Sequence, residues 1–167
     1  MDTSKMSNFV AQQVTRSHVI YIPAPVVRTF PLFEPLGEKH WVQGWNPDML
    51  YPTSGVAQQG TVFMTQHVGE PAKIWTIIGY DREQAYVTYI NVLPQMYTSR
   101  IDVRCEPDGS EMTSVRVTYT LTALSPHGNE YIERFSEEHH YQAYISSWET
   151  AIRHYLLHSH MLPHPEE

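Results

Sequence analysis

The short connections between strand-like segments constrain this fold more than any other feature of the chain. Segments rich in β-branched and aromatic residues, which are typical of strands, lie at about residues 56–67, 72–80, 85–93, 96–106 and 113–124. The sequences between them span a few residues and contain turn formers, as in Pro107-Asp108-Gly109-Ser110. Because turns of this length join neighbouring antiparallel strands, we expect a sheet of successive hairpins.

Side-chain alternation predicts that one face of this sheet is covered. In the segment 113–124, apolar residues at every second position from Val115 to Ala123 alternate with Arg116 and three threonines. The segment 96–106 divides in the same way, as expected when one face packs on a core and the other meets water. The two preceding segments do not alternate clearly, so the directions of Trp75 and Tyr89 stay open.

One long helical pattern follows the last strand, from Ser125-Pro126 to about His158. A single helix of this length would extend roughly 45–50 Å. Its main apolar face, around Tyr144 and Trp148, does not align with the apolar group at residues 131–135, so a kink near residues 136–140 is the alternative.

The remaining elements are an early strand from Val14 to Ile22 and two short helices, or a broken one, within residues 25–39. Between them and the hairpins lies a segment at 40–55 that is rich in Gly and Pro yet strongly apolar, and it must pack on something. A lone long helix beside a one-sided sheet predicts an α+β, helix-grip fold. In it, six to seven antiparallel strands curve around the C-terminal helix.

The length and net charge of the chain limit its domain organisation and the classes of function it can have. The 167 residues are expected to form a single domain, with a core at about 13–158 and frayed segments at 1–10 and 160–167. The net charge of −7 argues against a nucleic-acid partner. The apolar runs are too short for membrane insertion, and the first residues lack an apolar signal core, so we expect a cytoplasmic protein. We expect no cofactor, and a homo-oligomer is left open.

The sequence gives only weak evidence for a metal site. His154 and His158 have the i,i+4 spacing that can bind a metal, and His160 and His164 follow them. No third ligand is evident, so we predict an exposed helix end and no metal site. Cys105 is the only cysteine, which excludes an intrachain disulfide, and its position in the alternation predicts a buried thiol.

Motifs spread along the chain resemble the SRPBCC, or START-like, superfamily over about residues 13–158. The resemblance is carried by Pro23-Ala24-Pro25, Pro31-Leu32-Phe33, Trp41-Val42-x-Gly44-Trp45-x-Pro47, Trp75 with Tyr80-Asp81, Thr118-Tyr119, Ala123-Leu124-Ser125 and Trp148-Glu149-x-Ala151-Ile152-x-x-Tyr155-Leu156. It implies a START-like, helix-grip domain with a long apolar cavity between the sheet and the C-terminal helix. The superfamily includes polyketide cyclases and dehydrases and lipid-transfer members, so the resemblance does not imply one chemistry.

Three functional hypotheses follow. The leading one is binding of a small hydrophobic or aromatic molecule, lipid-like or polyketide-like, in that cavity. The aromatic residues expected in its wall are Phe33, Trp41, Trp75, Tyr89, Tyr97, Tyr119, Tyr141, Tyr144 and Trp148. The alternative is a cyclase or dehydratase acting on a polyketide or carbonyl substrate, with His139 or Tyr141 as the first candidates for acid–base catalysis. The third is a protein-interaction module whose cavity has collapsed.

Two features separate these hypotheses. An open cavity favours binding or catalysis, and an inward carboxylate or histidine with a strongly shifted pKa favours the enzyme. The polar residues near the start of the long helix could face either the cavity or solvent: Glu130, Arg134, Glu137, Glu138 and His139.

Overall fold

The computed structural model describes residues 8–163 and contains seven strands and three α-helices. The strands are β1 (Gln13–Ile22), β2 (Asp48–Tyr51), β3 (Val62–Thr65), β4 (Lys73–Asp81), β5 (Tyr86–Leu93), β6 (Tyr97–Pro107) and β7 (Thr113–Ala123). The helices are α1 (Val26–Thr29), α2 (Pro126–Phe135) and α3 (Glu138–His158), with 3-10 turns at Phe30–Phe33 and Gly37–His40. Residues 1–7 and 164–167, at the two ends predicted to fray, lie outside the described residues, and so does His164.

The strands form one antiparallel sheet in the order β1-β7-β6-β5-β4-β3-β2. This confirms the helix-grip prediction, since every hairpin from β2 to β7 joins neighbouring strands. The observed strand boundaries differ from the predicted ones in one region. The segment predicted at 56–67 shortens to β3, and the apolar segment at 40–55 contributes the four-residue β2. β2 lies between Pro47 and Pro52 and is too short to show an alternation.

The covered face of the sheet is the one that the alternation predicts. Its side chains in β6 and β7 are buried, among them Tyr97, Cys105 and Tyr119. Trp75 and Tyr89, whose directions the sequence leaves open, also point to this face, and both are buried. The core therefore lies between this face and the helices.

The single C-terminal helix is wrong and the alternative, a kink near residues 136–140, is confirmed, because the chain breaks between α2 and α3. Glu137 has an extended backbone, and its carboxylate accepts hydrogen bonds from the backbone N–H groups of His139 (3.1 Å) and His140 (2.8 Å). It therefore caps a new helix. The break lets two apolar groups that lie on different sides of a straight helix be buried together, as Phe135 and Tyr141 are.

The edge of the sheet formed by β1 is covered by α3. α3 packs along β1, where Glu149 accepts a hydrogen bond from Tyr21 N–H (2.7 Å) and Arg153 donates to Tyr21 C=O (2.9 Å). These contacts occupy backbone groups that an edge strand would otherwise leave free.

Within residues 8–163, no helix has the length and apolar character needed to cross a membrane.

Candidate ligand cavity

A cavity of about 350 Å³ lies between the covered face of the sheet and α3. Aromatic and aliphatic side chains dominate its wall, with contributions from the sheet, from α3 and from residues 38–45. Its lining residues are Glu38, Trp41, Val42, Gln43, Trp45, Trp75, Tyr89, Ile101, Val103, Tyr119, Tyr144, Ser147, Trp148, Ala151, Leu162 and Pro163. All four tryptophans of the chain are among them.

Hydrogen bonds fix three of these aromatic side chains to one short segment. The Trp41 and Trp45 indoles donate to the carbonyls of Leu32 and Pro35, both at 2.7 Å, and the Tyr89 hydroxyl donates to Phe33 C=O at 2.6 Å. The polar atoms of these rings are therefore satisfied outside the cavity. Their apolar surfaces remain to form its wall.

Ring–ring contacts make this wall continuous. The rings of Phe63 and Trp75 stack with centroids 5.4 Å apart, and Trp45 meets Trp75 edge-on at 5.5 Å. On the helix side, Trp148 contacts Trp41 at 5.6 Å and Tyr144 at 5.7 Å. Such contacts restrict each ring, so the cavity has a defined shape.

Glu38 is the charged residue in this apolar wall. Burial raises the pKa of its carboxyl well above the ordinary value of 4.5, and no hydrogen bond or ion pair within the described residues offsets that effect. Its charge in turn raises the pKa values of Tyr89, Tyr119 and Tyr144, whose shifts come first from burial. Glu38 is therefore a half-buried acid at the cavity wall whose carboxyl keeps its proton to a higher pH than an exposed glutamate.

The backbone around Glu38 is tightly packed. Its N–H donates to Glu34 C=O at 3.0 Å, and its carbonyl accepts from Val42 N–H at 2.8 Å. A Cβ at Gly37 would lie 1.8 Å from the Pro31 carbonyl oxygen, so only glycine fits before Glu38. These contacts fix the position of the backbone from which the Glu38 side chain extends.

A smaller chamber of about 160 Å³ adjoins the main cavity. The two spaces share the walls formed by Val42, Gln43, Trp45, Trp75, Ile101, Tyr119 and Tyr144. The smaller chamber is more polar, because it is also lined by Thr65, His67, Lys73, Asn91, Tyr97, Ser99 and Tyr131. An apolar cavity and a more polar chamber therefore lie side by side.

The structure brings most of the predicted wall residues together. The main cavity is lined by Trp41, Trp75, Tyr89, Tyr119, Tyr144 and Trp148, and the polar chamber by Tyr97. Phe33 and Tyr141 line neither space. Phe33 is buried behind Trp41 and Trp148, and the Tyr141 hydroxyl donates to Val117 C=O at 2.7 Å.

Glu38 and Trp45 line the main cavity and Lys73 lines the polar chamber, although the sequence pattern does not predict any of them there. The only available signal for Glu38 and Trp45 was their place in or beside an apolar segment that had to pack against the core.

The other candidate residues lie outside the cavity. The polar residues Glu130, Arg134, Glu137, Glu138 and His139 are all exposed. The rings of His154, His158 and His160 lie 4.4–5.7 Å apart, yet within residues 8–163 no three His, Cys, Asp or Glu side chains are placed to hold a metal ion. Cys105 is buried, and burial raises the pKa of its thiol to about 12.

Comparisons with solved structures identify the fold. Norcoclaurine synthase from Thalictrum flavum superposes with a TM-score of 0.63 at 12% identity, over 89% of this chain and 88% of that one. The Zhui aromatase/cyclase from Streptomyces sp. R1128 gives 0.62 at 13% identity, over 90% and 100%. The di-domain aromatase/cyclase BexL gives 0.64 at 15% identity, over 86% and 46%.

Sequence comparisons add no closer relationship: no protein-family model and no curated protein matches the chain. At 12–15% identity, the structural likeness establishes the architecture and leaves the chemistry to the residues of the cavity. The chain shares the helix-grip fold of these structures, which is the fold predicted from its sequence.

Proposed function

We propose that this protein binds a small hydrophobic, largely aromatic molecule in the cavity between the sheet and α3. The observation that carries the proposal is the open, mostly apolar space of about 350 Å³. Ligand sites in proteins typically measure about 300–1,000 Å³ and combine an apolar wall with a few polar groups. Here Glu38, Gln43 and Ser147 are the polar groups in the main cavity.

The structural neighbours support this proposal. A structure of norcoclaurine synthase contains dopamine and hydroxybenzaldehyde, two small aromatic molecules, and it superposes on this chain with a TM-score of 0.61 at 13% identity. Other neighbours are aromatase/cyclases. The open cavity also argues against the hypothesis of a collapsed interaction module, because the protein's own side chains leave it unfilled.

A fluorescence titration with N-phenyl-1-naphthylamine tests the proposal. This neutral aromatic probe emits strongly only in apolar surroundings, so binding in the cavity should give a saturable increase in emission. The informative variant is Ala151→Phe, because Ala151 lines the cavity from α3 and the larger ring would occupy the space. We expect this variant to lose the saturable signal.

The matched control is Ala143→Phe. Ala143 is exposed on the same helix and does not line the cavity, so the same substitution should leave the titration unchanged. Absence of saturable binding to the unaltered protein, or equal binding by the Ala151→Phe variant, would show that the cavity is not a ligand site.

The inward carboxyl of Glu38 favours a second candidate, a dehydratase or cyclase acting in the same cavity. A neutral carboxyl in an apolar site can protonate a carbonyl or a departing hydroxyl, and the carboxylate that remains can accept the α-proton. The two residues first suggested by the sequence do not fit this role. His139 is exposed, and the hydroxyl of Tyr141 is hydrogen-bonded within the core.

The aldol adduct of benzaldehyde and acetone tests the second candidate, because its dehydration produces a conjugated enone that absorbs in the ultraviolet. The enzyme hypothesis expects the protein to accelerate enone formation. It also expects Glu38→Gln to remove the acceleration while the naphthylamine probe still binds. Binding of the adduct without acceleration would support a binding protein alone.

A further inference from the structure

Lys73 places a positive charge on the covered side of the sheet. It begins β4, and Trp75, two residues later on the same face, is buried in the core. The Lys73 Nζ atom lies 5.6 Å from the centroid of the Trp75 ring and 5.4 Å from that of Tyr97. Aromatic faces attract a cation at this range but do not neutralise it.

The surroundings of Lys73 leave its charge without a carboxylate partner. It forms no ion pair with any acidic residue of the described chain. Burial lowers the pKa of its ammonium group, while the nearby Tyr131 and Glu70 act in the opposite direction with smaller effect. His67 and Tyr97 also line this chamber. Lys73 is half-buried, and a charge partly withdrawn from water is stabilised by an opposite charge, so this position favours binding of an anion.

Neutral hydrogen-bonding groups lie in the same chamber. The Ser99 hydroxyl donates to Asn91 Oδ1 at 2.7 Å, and both residues are only 2% exposed. This leaves the Asn91 amide nitrogen without a partner within residues 8–163. The Tyr97 and Tyr131 rings stack at 4.7 Å and bring two further hydroxyls to the chamber. A cation beside amide and hydroxyl donors is the chemistry that recognises an oxygen anion.

We propose that this chamber binds the carboxylate of an aromatic acid whose ring system fills the main cavity. The inference rests on the proposed function, because the ring system has to occupy the main cavity for its carboxylate to reach Lys73. Trp45, Trp75 and Tyr119 line both spaces, so the two adjoin, and the inference requires a flat molecule to extend between them. The protein carries a net charge of −7 and repels anions in general, so a preference for an anion would be a local effect.

Isothermal titration calorimetry with 2-naphthoate and 2-naphthamide tests this inference, because the two probes have nearly the same shape and differ in charge. We expect the unaltered protein to bind the naphthoate at least about tenfold more tightly, as a charge-assisted hydrogen bond predicts. The Lys73→Met variant should bind both probes equally and keep its affinity for the naphthamide. The Lys73→Arg variant should restore most of the preference and so show that loss of the preference does not reflect misfolding.

Lys39→Met is the matched control, because it makes the same change in residue and charge at an exposed position outside both spaces. It should retain the preference. Equal affinities in the unaltered protein, or a preference that survives in Lys73→Met, would overturn the anionic subsite. If neither naphthalene binds while N-phenyl-1-naphthylamine does, the subsite is again wrong, but the cavity remains a hydrophobic binding site. If the naphthylamine also fails, the proposed function itself is wrong.

Discussion

At the scale of the residue, Glu38 combines an acidic group with aromatic surroundings that do not solvate its charge. The unfolded chain loses this proton near pH 4.5, whereas the folded protein keeps it to a higher pH. Folding therefore becomes less favourable as the pH rises from 4.5 through the raised pKa. Below 4.5 both states are protonated, and the penalty is absent.

The Glu38→Gln variant should remove this penalty. We expect it to be more stable than the unaltered protein at pH 8, where the unfolded chain gains by losing the Glu38 proton, and by much less at pH 4.5. Urea unfolding at both pH values measures the difference. A stability difference that does not change with pH would mean that the Glu38 carboxyl is solvated in the folded protein.

Individual side chains differ in how well the sequence predicts them. Tyr97 and Tyr119 belong to strands that alternate clearly, so their inward direction follows from the pattern. Trp75 lies in a strand with apolar residues on both faces, where Ile74 and Ile78 are exposed, so the pattern does not choose a face. Glu38 and Lys73 are isolated charged residues that belong to no repeating pattern of polar and apolar positions. Only their surroundings in the folded protein identify them as wall residues.

At the scale of the element, the break before α3 depends on the Glu137 carboxylate. Its hydrogen bonds from the His140 and His139 backbone N–H groups hold its pKa below the ordinary value of 4.5. A carboxyl with a lowered pKa stabilises the fold above 4.5, and this contribution is lost as the pH falls through the lowered value. The cap should therefore stabilise the protein at neutral pH and not in strong acid.

The Glu137→Ala variant should unfold at a lower urea concentration than the unaltered protein at pH 7, and the two midpoints should converge at pH 3. Glu133→Ala removes the same charge from an exposed position of α2, so it serves as the control and should have little effect. A similar loss of stability in both variants would assign the effect to net charge instead of capping.

The sequence offers a kink near residues 136–140 only as an alternative, because the offset between its two apolar groups is also compatible with a straight helix whose first turns lie in water. The cap instead depends on an extended backbone at Glu137 that lets both apolar groups reach the sheet. The short helices within 25–39 are easier to predict, since proline limits their length. The strand β2 is too short for any periodicity, and it is identified by its pairing with β3.

At the scale of the whole molecule, the order of the strands could be predicted from the lengths of their connections. Every link from β3 to β7 is a short turn, so each strand pairs with its neighbours in sequence. The position of β1 beside β7 does not follow from the length of a connection, and only the resemblance to helix-grip proteins implies it. The volume of the cavity could not be predicted, because it depends on how all the wall residues pack together.

Occupation of the cavity should stabilise the entire fold. A ligand that binds only the folded state adds about 2.7 kcal/mol at 100 times its Kd. For a chain of this size, that corresponds to an increase of about 5–10 °C in Tm. We expect N-phenyl-1-naphthylamine to produce this shift in the unaltered protein and in Ala143→Phe, measured by circular dichroism. A shift of the same size in Ala151→Phe would indicate binding elsewhere on the molecule.

The placement of all four tryptophans around one cavity has an optical consequence. Every indole in the chain shares that environment, so the intrinsic ultraviolet emission of the protein reports on the cavity with no contribution from indoles elsewhere. Entry of a molecule that quenches indoles or accepts their excitation energy would change nearly the whole signal. Unlabelled protein can therefore be screened directly against compound collections, with its own chromophores as the detector.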